Sequence, residues 1–461
     1  MTMTAAVDSG SSEPDHGGGV TARVIPESEH PIREQDIDLE ALKVLYRLRD
    51  AGFSGYLVGG GVRDLYLGKR PKDFDISTNA RPGQLRKLFR NSRTIGRRFR
   101  LVQVFFRGNK IIEVSTLRSQ SEYDINDPDK VLPSNNTFGT LEEDAFRRDL
   151  TINSLFYEIE NRSIIDYVHG VEDLDRGVIR IVGEPERRII RDPVRMMRAV
   201  RHAARNSFTI EKKTWQAIVD NRDKLTLCPP SRIRDELLKD LRSGASRPWA
   251  EICIRSGLWF TLFPFYRDLL TGRNAGKGRE ELLAVLGALD RLYGAAGDRR
   301  VNVPEYMLFA AMLLPWACHR FDLPGIQTLK GAAYNQLMRS IRGELDQVFG
   351  EQFNVKRMTK ETIATLLVHL VTFRQHHRNG RWPKWLKKKS YFSDCSRFYG
   401  LYQEARGEAE VDVALFVDTS AEEQAAPVGG RGSGNGRSRG RRGINPAFSS
   451  RKSGVFGLRK G

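Results

Sequence analysis

The chain has 461 residues, too many for one ordinary core, so two to four globular units are expected. Lys and Arg total 75 against 57 acidic residues, a formal net charge of +18 that points to a polyanionic partner such as nucleic acid. Four scattered cysteines lack the spacing of a zinc site or a disulfide framework, and neither a signal peptide nor a membrane-length apolar run is present, so a cytoplasmic protein without membrane association is expected.

Residues before about Val20 are Gly-, Ser- and Thr-rich with little apolar content, too little to offset the entropy of ordering. Disorder is assigned to an extension over 1–35. Leu39, Leu42, Leu45 and Tyr46 carry helical spacing that Ala51-Gly52 ends, and Tyr56-Leu57-Val58 reads as a buried strand. Short runs at Phe74 to Ile76, Leu101 to Phe106 and Ile111 to Val114 complete a small α/β sheet. Beyond about Asp192 the pattern is almost wholly helical, with Met196, Met197 and Val200, then Leu282, Leu283, Leu286 and Leu289, spaced for buried faces. After Glu423 no acidic residue occurs, while Arg431, Arg437, Arg439, Arg441, Arg442, Arg451, Lys452, Arg459 and Lys460 sit among Gly and Ser. Such a segment is either an electrostatic arm for phosphates, sensitive to salt, or a solubilising tail.

Gly59-Gly60-Gly61-Val62-Arg63-Asp64 follows a strand directly, where backbone without side chains approaches phosphates and Arg63 adds a bidentate clamp. A tight structural turn explains a glycine run equally well until a chemical neighbour is found. Asp73-Phe74-Asp75 supplies one. At strand period two both carboxylates project from one face while Phe74 enters the core, and hard oxygen ligands so placed suit Mg²⁺ in a two-ion site. Glu113, an acid in an apolar strand, either completes that cluster or pairs with a base such as Arg118. In Arg147-Arg148-Asp149-Leu150-Thr151-Ile152-Asn153, triphosphate or ribose contacts and a structural ion-pair network have the same signature. Asp192 before Pro193 is a helix cap, or with Arg195 an acceptor and donor for a base edge.

In this order GGGVRD, DFD, EVSTLR, RRDLTIN and RDPVRMMR resemble the class II tRNA nucleotidyltransferase and bacterial poly(A) polymerase superfamily, most strongly over Val24 to Phe208. The resemblance implies a polymerase-β-like nucleotidyltransferase head at 36–170, a neck binding nucleotide and RNA at 171–240, a helical body and RNA-binding region at 241–410 and a disordered Arg/Gly-rich basic tail at 411–461. Val24-Ile25-Pro26 and the segment Trp382-Pro383-Lys384-Trp385-Leu386 are similar to the poly(A)-synthesising branch, although by composition that second segment reads as amphipathic packing edged by Lys387, Lys388 and Lys389. By this resemblance Asp73, Asp75 and Asp149 are the catalytic acids, the first two binding metal. Gly59, Gly60, Arg63, Arg148, Asn153, Arg195 and Arg198 contact nucleotide, and Asp192 with Arg195 reads the base. Arg191 stands where the family motif has Glu. The implied activity is addition of AMP from ATP to RNA 3′ ends without a template, with Mg²⁺ in a two-ion site, by a monomer that meets RNA and RNA-decay proteins. The alternatives are a tRNA CCA-adding, CC-adding or A-adding enzyme, and a non-catalytic RNA-binding protein.

Overall fold

The computed structural model describes residues 21–96, 101–119, 138–273, 275–295, 297, 299, 301–350, 353–377 and 381–417. The basic tail beyond 417 and the first twenty residues therefore lie outside the described residues.

Among the described residues ten short strands form two sheets: β1 (Arg23–Ile25), β2 (Gly55–Val58), β3 (Asp75–Thr78), β4 (Ser92–Ile95), β5 (Leu101–Phe105), β6 (Ile111–Thr116), β7 (Phe156–Glu158), β8 (Ser163–Asp166), β9 (Val178–Ile179) and β10 (Thr209–Ile210). The larger sheet runs β1-β8-β7-β2-β3-β6-β5-β4. Every pairing in it is antiparallel except that of β3 with β6, which are parallel. The Leu39–Asp50 helix packs on β2, β3 and β6 through Ala41, Val44, Leu45 and Leu48. Asp38 caps it, accepting from the backbone N–H groups of Glu40 and Ala41.

Order begins earlier than 36. β1 adds itself to the sheet edge against β8, and Ile25 and Ile32 are buried with it, so the expected disorder over 1–35 is wrong from residue 21 onward. Two buried isoleucines and an edge ladder supply what composition alone did not show. At the other end, Val411 and Phe416 are buried and Val417 bridges Val301, so the tail's first residues belong to the helical body.

The neck helix Val194–Asn206 buries Val194, Met196, Met197, Val200 and Ala203 and packs against the Pro230–Leu241 and Ser246–Ser256 helices. Long helices at Ala275–Ala295, Glu305–Arg320, Gly331–Phe349, Arg357–His376 and Phe392–Ala405 build the body. Its interior is aromatic around Trp249, Trp259, Phe263 and Tyr266. Among the described residues no helix is long and apolar enough to cross a membrane.

Candidate active site

The glycine run turns the chain from β2 into the short Gly60–Tyr66 helix. Gly59 has φ +68° and ψ −131°, a conformation that side chains rarely adopt. A Cβ there would also stand 3.4 Å from Arg148 Nη1, and one on Gly61 would stand 3.6 Å from the Asp73 carbonyl oxygen. The bend is therefore threaded between the arginine and the acidic segment.

Phe74 is buried while Asp73 and Asp75 reach solvent, the alternation expected of an extended segment. Only Asp75 belongs to the ladder, however, paired with Val58 on β2, because β3 begins at Asp75 and Asp73 precedes it. On the other side Asp75 is in register with Glu113 of β6, whose carboxylate accepts a 2.8 Å hydrogen bond from Gln103 Nε2. Crowding by protein, then the charges of Glu113 and Asp73, push the Asp75 carboxyl up to about 6, with Arg148 only partly opposing them. Of the two readings left open for Glu113, geometry favours the acidic cluster.

Arg148 is the neighbouring cation. It donates to Asp144 from Nη2 (2.9 Å) and Nε (3.2 Å), to Ser77 Oγ on β3 (3.3 Å) and to the Asn153 carbonyl (3.3 Å). Asp144 sits on the Leu141–Arg147 helix, almost fully buried, and also pairs with Arg147 at 3.0 Å. Sequence reading passed over Asp144, although its spacing of three and four from the two arginines is a helical ion-pair signature.

Asp149 is placed differently from expectation. Its Oδ2 accepts from Arg198 Nε at 2.5 Å, its Oδ1 from the Leu150 N–H at 2.9 Å, and the pair lies on the seam between head and neck helix. Burial alone would raise its pKa, but the positive charge around it, Arg198 foremost, holds it well below the usual carboxylate range. The third acid registered with the Asp73–Asp75 segment is Glu113, and Asp149 is committed to Arg198. Arg63 also departs from the expected clamp. It is 3% exposed, with Nε and Nη2 on Asp64 (2.8 and 2.7 Å) and Nη1 on Asn153 Oδ1 (2.6 Å). Its fork is used on a carboxylate of the same helix, so Arg63 and the buried Asn153 brace the glycine bend. His202 of the neck helix joins them, its Nδ1 3.3 Å from Arg63 Nη1, a partner that no local motif announced.

Asp192 does not cap the neck helix with its side chain. Oδ2 accepts from Arg232 at 2.9 Å and lies 3.9 Å from Arg195 Nε, while Oδ1 is buried without a partner, as is Arg195 Nε. Arg195 is steered by the head, donating to the carbonyls of Arg148 (2.9 Å) and Arg147 (3.4 Å). Arg188, unnoticed in the sequence, donates to the Phe146 and Arg148 carbonyls at 3.0 and 2.6 Å. Burial first, then mutual repulsion, pulls Arg188 down to about 9 and Arg147 and Arg191 down to about 10. A guanidinium stays protonated near neutrality regardless, so the depression marks concentrated positive potential that an anion would relieve.

Among the described residues no group of three or more His, Cys, Asp or Glu side chains closes into a metal cage. Mg²⁺ does not require one. It is commonly held by one or two carboxylates together with substrate phosphates, and Asp73 and Asp75, repelling one another beside an arginine-rich seam, offer that donor set.

Residues 55–180 match the family described as the poly(A) polymerase head domain, and 207–270 match a probable RNA and SrmB-binding site of polymerase A. Poly(A) polymerase I of Salmonella typhi is 46% identical over 297 residues, 63% of this chain and 63% of that one. The Haemophilus influenzae enzyme of the same name is 38% identical over 296 residues, 62% of this chain and 64% of its own length. The CCA-adding enzyme of Lactobacillus helveticus is 43% identical over 205 residues, 44% of this chain and 50% of that protein. The match thus spans 63% of the length of the Salmonella relative. A solved tRNA-processing enzyme in an apo form aligns with a TM-score of 0.53 at 20% identity, over 87% of this chain and 94% of that one. A CCA-adding enzyme solved with ATP aligns with 0.51 at 17%, over 84% and 82%. These likenesses concern the fold, a polymerase-β-like head followed by helices.

Proposed function

We propose, from the match of residues 55–180 to the poly(A) polymerase head domain and the 46% identity to Poly(A) polymerase I of Salmonella typhi, that this chain belongs to that nucleotidyltransferase family, transfers AMP from ATP to RNA 3′ ends without a template and releases pyrophosphate. One observation carries the proposal. Asp75 is set between Asp73 and Glu113 at the mouth of a glycine bend whose other wall is Arg148. In chemical terms, three acids meet the place where a triphosphate-sized anion would find backbone N–H groups and guanidinium charge.

Asp73 and Asp75 would hold Mg²⁺, with Glu113 behind them. The ion, when bound, lowers the pKa of the RNA 3′-hydroxyl and stabilises charge on the leaving pyrophosphate. The chain's own residues align the reactants. Gly59 to Gly61 let the phosphates approach the backbone, Arg148 and the arginines behind it balance the developing negative charge, and the Asp192–Arg195 pair offers its unpartnered Oδ1 and Nε to a base edge. The new bond joins the 3′-oxygen to the α-phosphorus as the bond to the pyrophosphate oxygen breaks, and the hydroxyl proton leaves to solvent.

The similarity to a CCA-adding enzyme over 205 residues supports a second reading, tRNA 3′-end completion. Incubation with single labelled nucleotides separates them. Long products from ATP alone on unrelated RNA fit AMP polymerisation, whereas CTP incorporation confined to tRNA overturns it. A protein that binds RNA and incorporates neither nucleotide would be the non-catalytic binder. A cytoplasmic location and contact with RNA-decay proteins belong to the same proposal.

A further inference from the structure

From Thr362 to Ser393 the chain contains no acidic residue but seven Lys and Arg. This stretch includes the end of the Arg357–His376 helix and the short Lys384–Lys387 helix, and lies outside both family matches. Two apolar side chains anchor it. Leu386 is fully buried, and Trp382 stacks on His377 at 4.5 Å and packs against Phe373 and Tyr399.

With Leu386 turned inward, one helical turn leaves Lys384, Trp385, Lys387, Lys388 and Lys389 outside, and all five are exposed. Trp385 is 48% exposed, its ring edge-on to His376 at 5.2 Å. Among the described residues none of the four lysines, nor Arg381, forms an ion pair, although the body elsewhere pairs its bases readily, as in Arg291–Glu404, Arg320–Glu344 and Arg342–Glu361. A packing edge needs Leu386 and Trp382. It does not need a large ring held out in solvent among unneutralised ammonium groups, where desolvation gains are forgone and like charges repel.

The geometry points to a second RNA contact here, a stacking platform for an unpaired base on Trp385 flanked by phosphate-binding lysines. It rests on the reading that the chain extends RNA and assigns this patch to single-stranded RNA upstream of the growing end. Charge complementarity selects a polyanion, and the exposed indole selects one whose bases are free to stack, which excludes a duplex.

The test uses the full chain, so that the basic segment after Glu423 is common to every variant. Trp385→Ala, Trp385→Phe and the pair Lys388→Glu with Lys389→Glu are compared for binding of a 20-nucleotide single-stranded RNA without nucleoside triphosphate, across a salt series. Trp385→Ala is expected to weaken binding roughly tenfold and Trp385→Phe to keep most of it, as stacking contacts do. The double reversal should lower the slope of log affinity against log salt by about the number of phosphates lost. RNA carrying 4-thiouridine should cross-link on irradiation to a peptide containing Trp385. Wild-type affinity and salt slope in all variants, with cross-links elsewhere, would overturn the patch, as would loss of a protein partner with RNA binding intact. If instead the wild-type chain binds RNA at the patch but adds no nucleotide, the patch stands and the polymerase reading falls.

Discussion

Asp75 and Glu113 stand directly opposite each other in the parallel strand pair of the large sheet, β3 with β6. Two carboxylates in register repel unless a cation lies between them, and Gln103 holds Glu113 in place from the next strand. Glu113→Gln keeps the hydrogen-bonding shape and removes one charge. The Mg²⁺ concentration for half-maximal AMP incorporation should rise roughly 10- to 100-fold, with a smaller change in RNA affinity. A magnesium titration identical to wild type would place Glu113 outside the metal environment.

Asp75→Ala removes the acid that feels the charges of Glu113, Asp73 and Arg148 together. Turnover should fall by about 10³-fold or more, while RNA binding without nucleotide stays within about twofold, because the arginine seam and the body are untouched. Incorporation at the wild-type rate would sink the mechanism.

The local part of this site was legible in the sequence because it is written in consecutive residues. The glycine run, the Asp73-Phe74-Asp75 alternation and the strands β2, β5 and β6 all follow from turn chemistry and period-two patterning. What consecutive residues do not carry is pairing across the chain. Glu113 declares itself only when β6 docks beside β3, and Asp149 is claimed by Arg198 from a helix that begins forty-five residues later (194 against 149). The glycines beside Arg63 point to a phosphate clamp, but Asp64, Asn153 and His202 surround its guanidinium. β1 was missed since three residues of edge strand carry too weak a pattern without β8 beside them.

Gly59→Ala tests the bend directly. The substitution forces an L side chain to φ +68° and brings a Cβ within 3.4 Å of Arg148 Nη1. It should cost about 1–3 kcal/mol of stability and raise the KM for ATP, read by urea unfolding and initial rates. A variant as stable as wild type would show that the backbone there relaxes freely.

The bond between Asp149 and Arg198 predicts coupling across the head and neck. Each single alanine variant leaves an ion stranded in a mostly protein environment, whereas the double variant leaves none. The two stability losses should therefore be sub-additive by roughly 1–3 kcal/mol in a double-mutant cycle. Strict additivity would count against the seam and in favour of Asp149 acting alone at the metal.

One guanidinium in the neck serves two buried acids, and that sharing sets a pH dependence. Arg201 donates to Asp240 Oδ1 at 2.9 Å and to Glu236, while Asp240 Oδ2 is buried without a partner. Burial outweighs the pull of Arg201, and with Glu236 adding repulsion the Asp240 carboxyl is pushed up to about 8; Glu236, although burial opposes it, is held below its usual value by Arg201 and Lys239. The signs are opposite. A raised carboxyl pKa means that Asp240 favours the folded state most below about 4, where it is protonated folded or unfolded, and that this contribution is lost as pH rises toward 8. A lowered one means that Glu236 contributes above its unfolded pKa and loses that contribution in acid. Asp240→Asn, which mimics the protonated acid, should therefore melt higher than wild type by roughly 2–4 °C at pH 8 to 9 and converge with it only toward pH 4. Glu236→Gln should melt lower across neutral pH. If Asp240→Asn instead lowers the melting temperature at neutral pH, Asp240 is ionised in the folded protein well below pH 8 and the shared-guanidinium account is wrong.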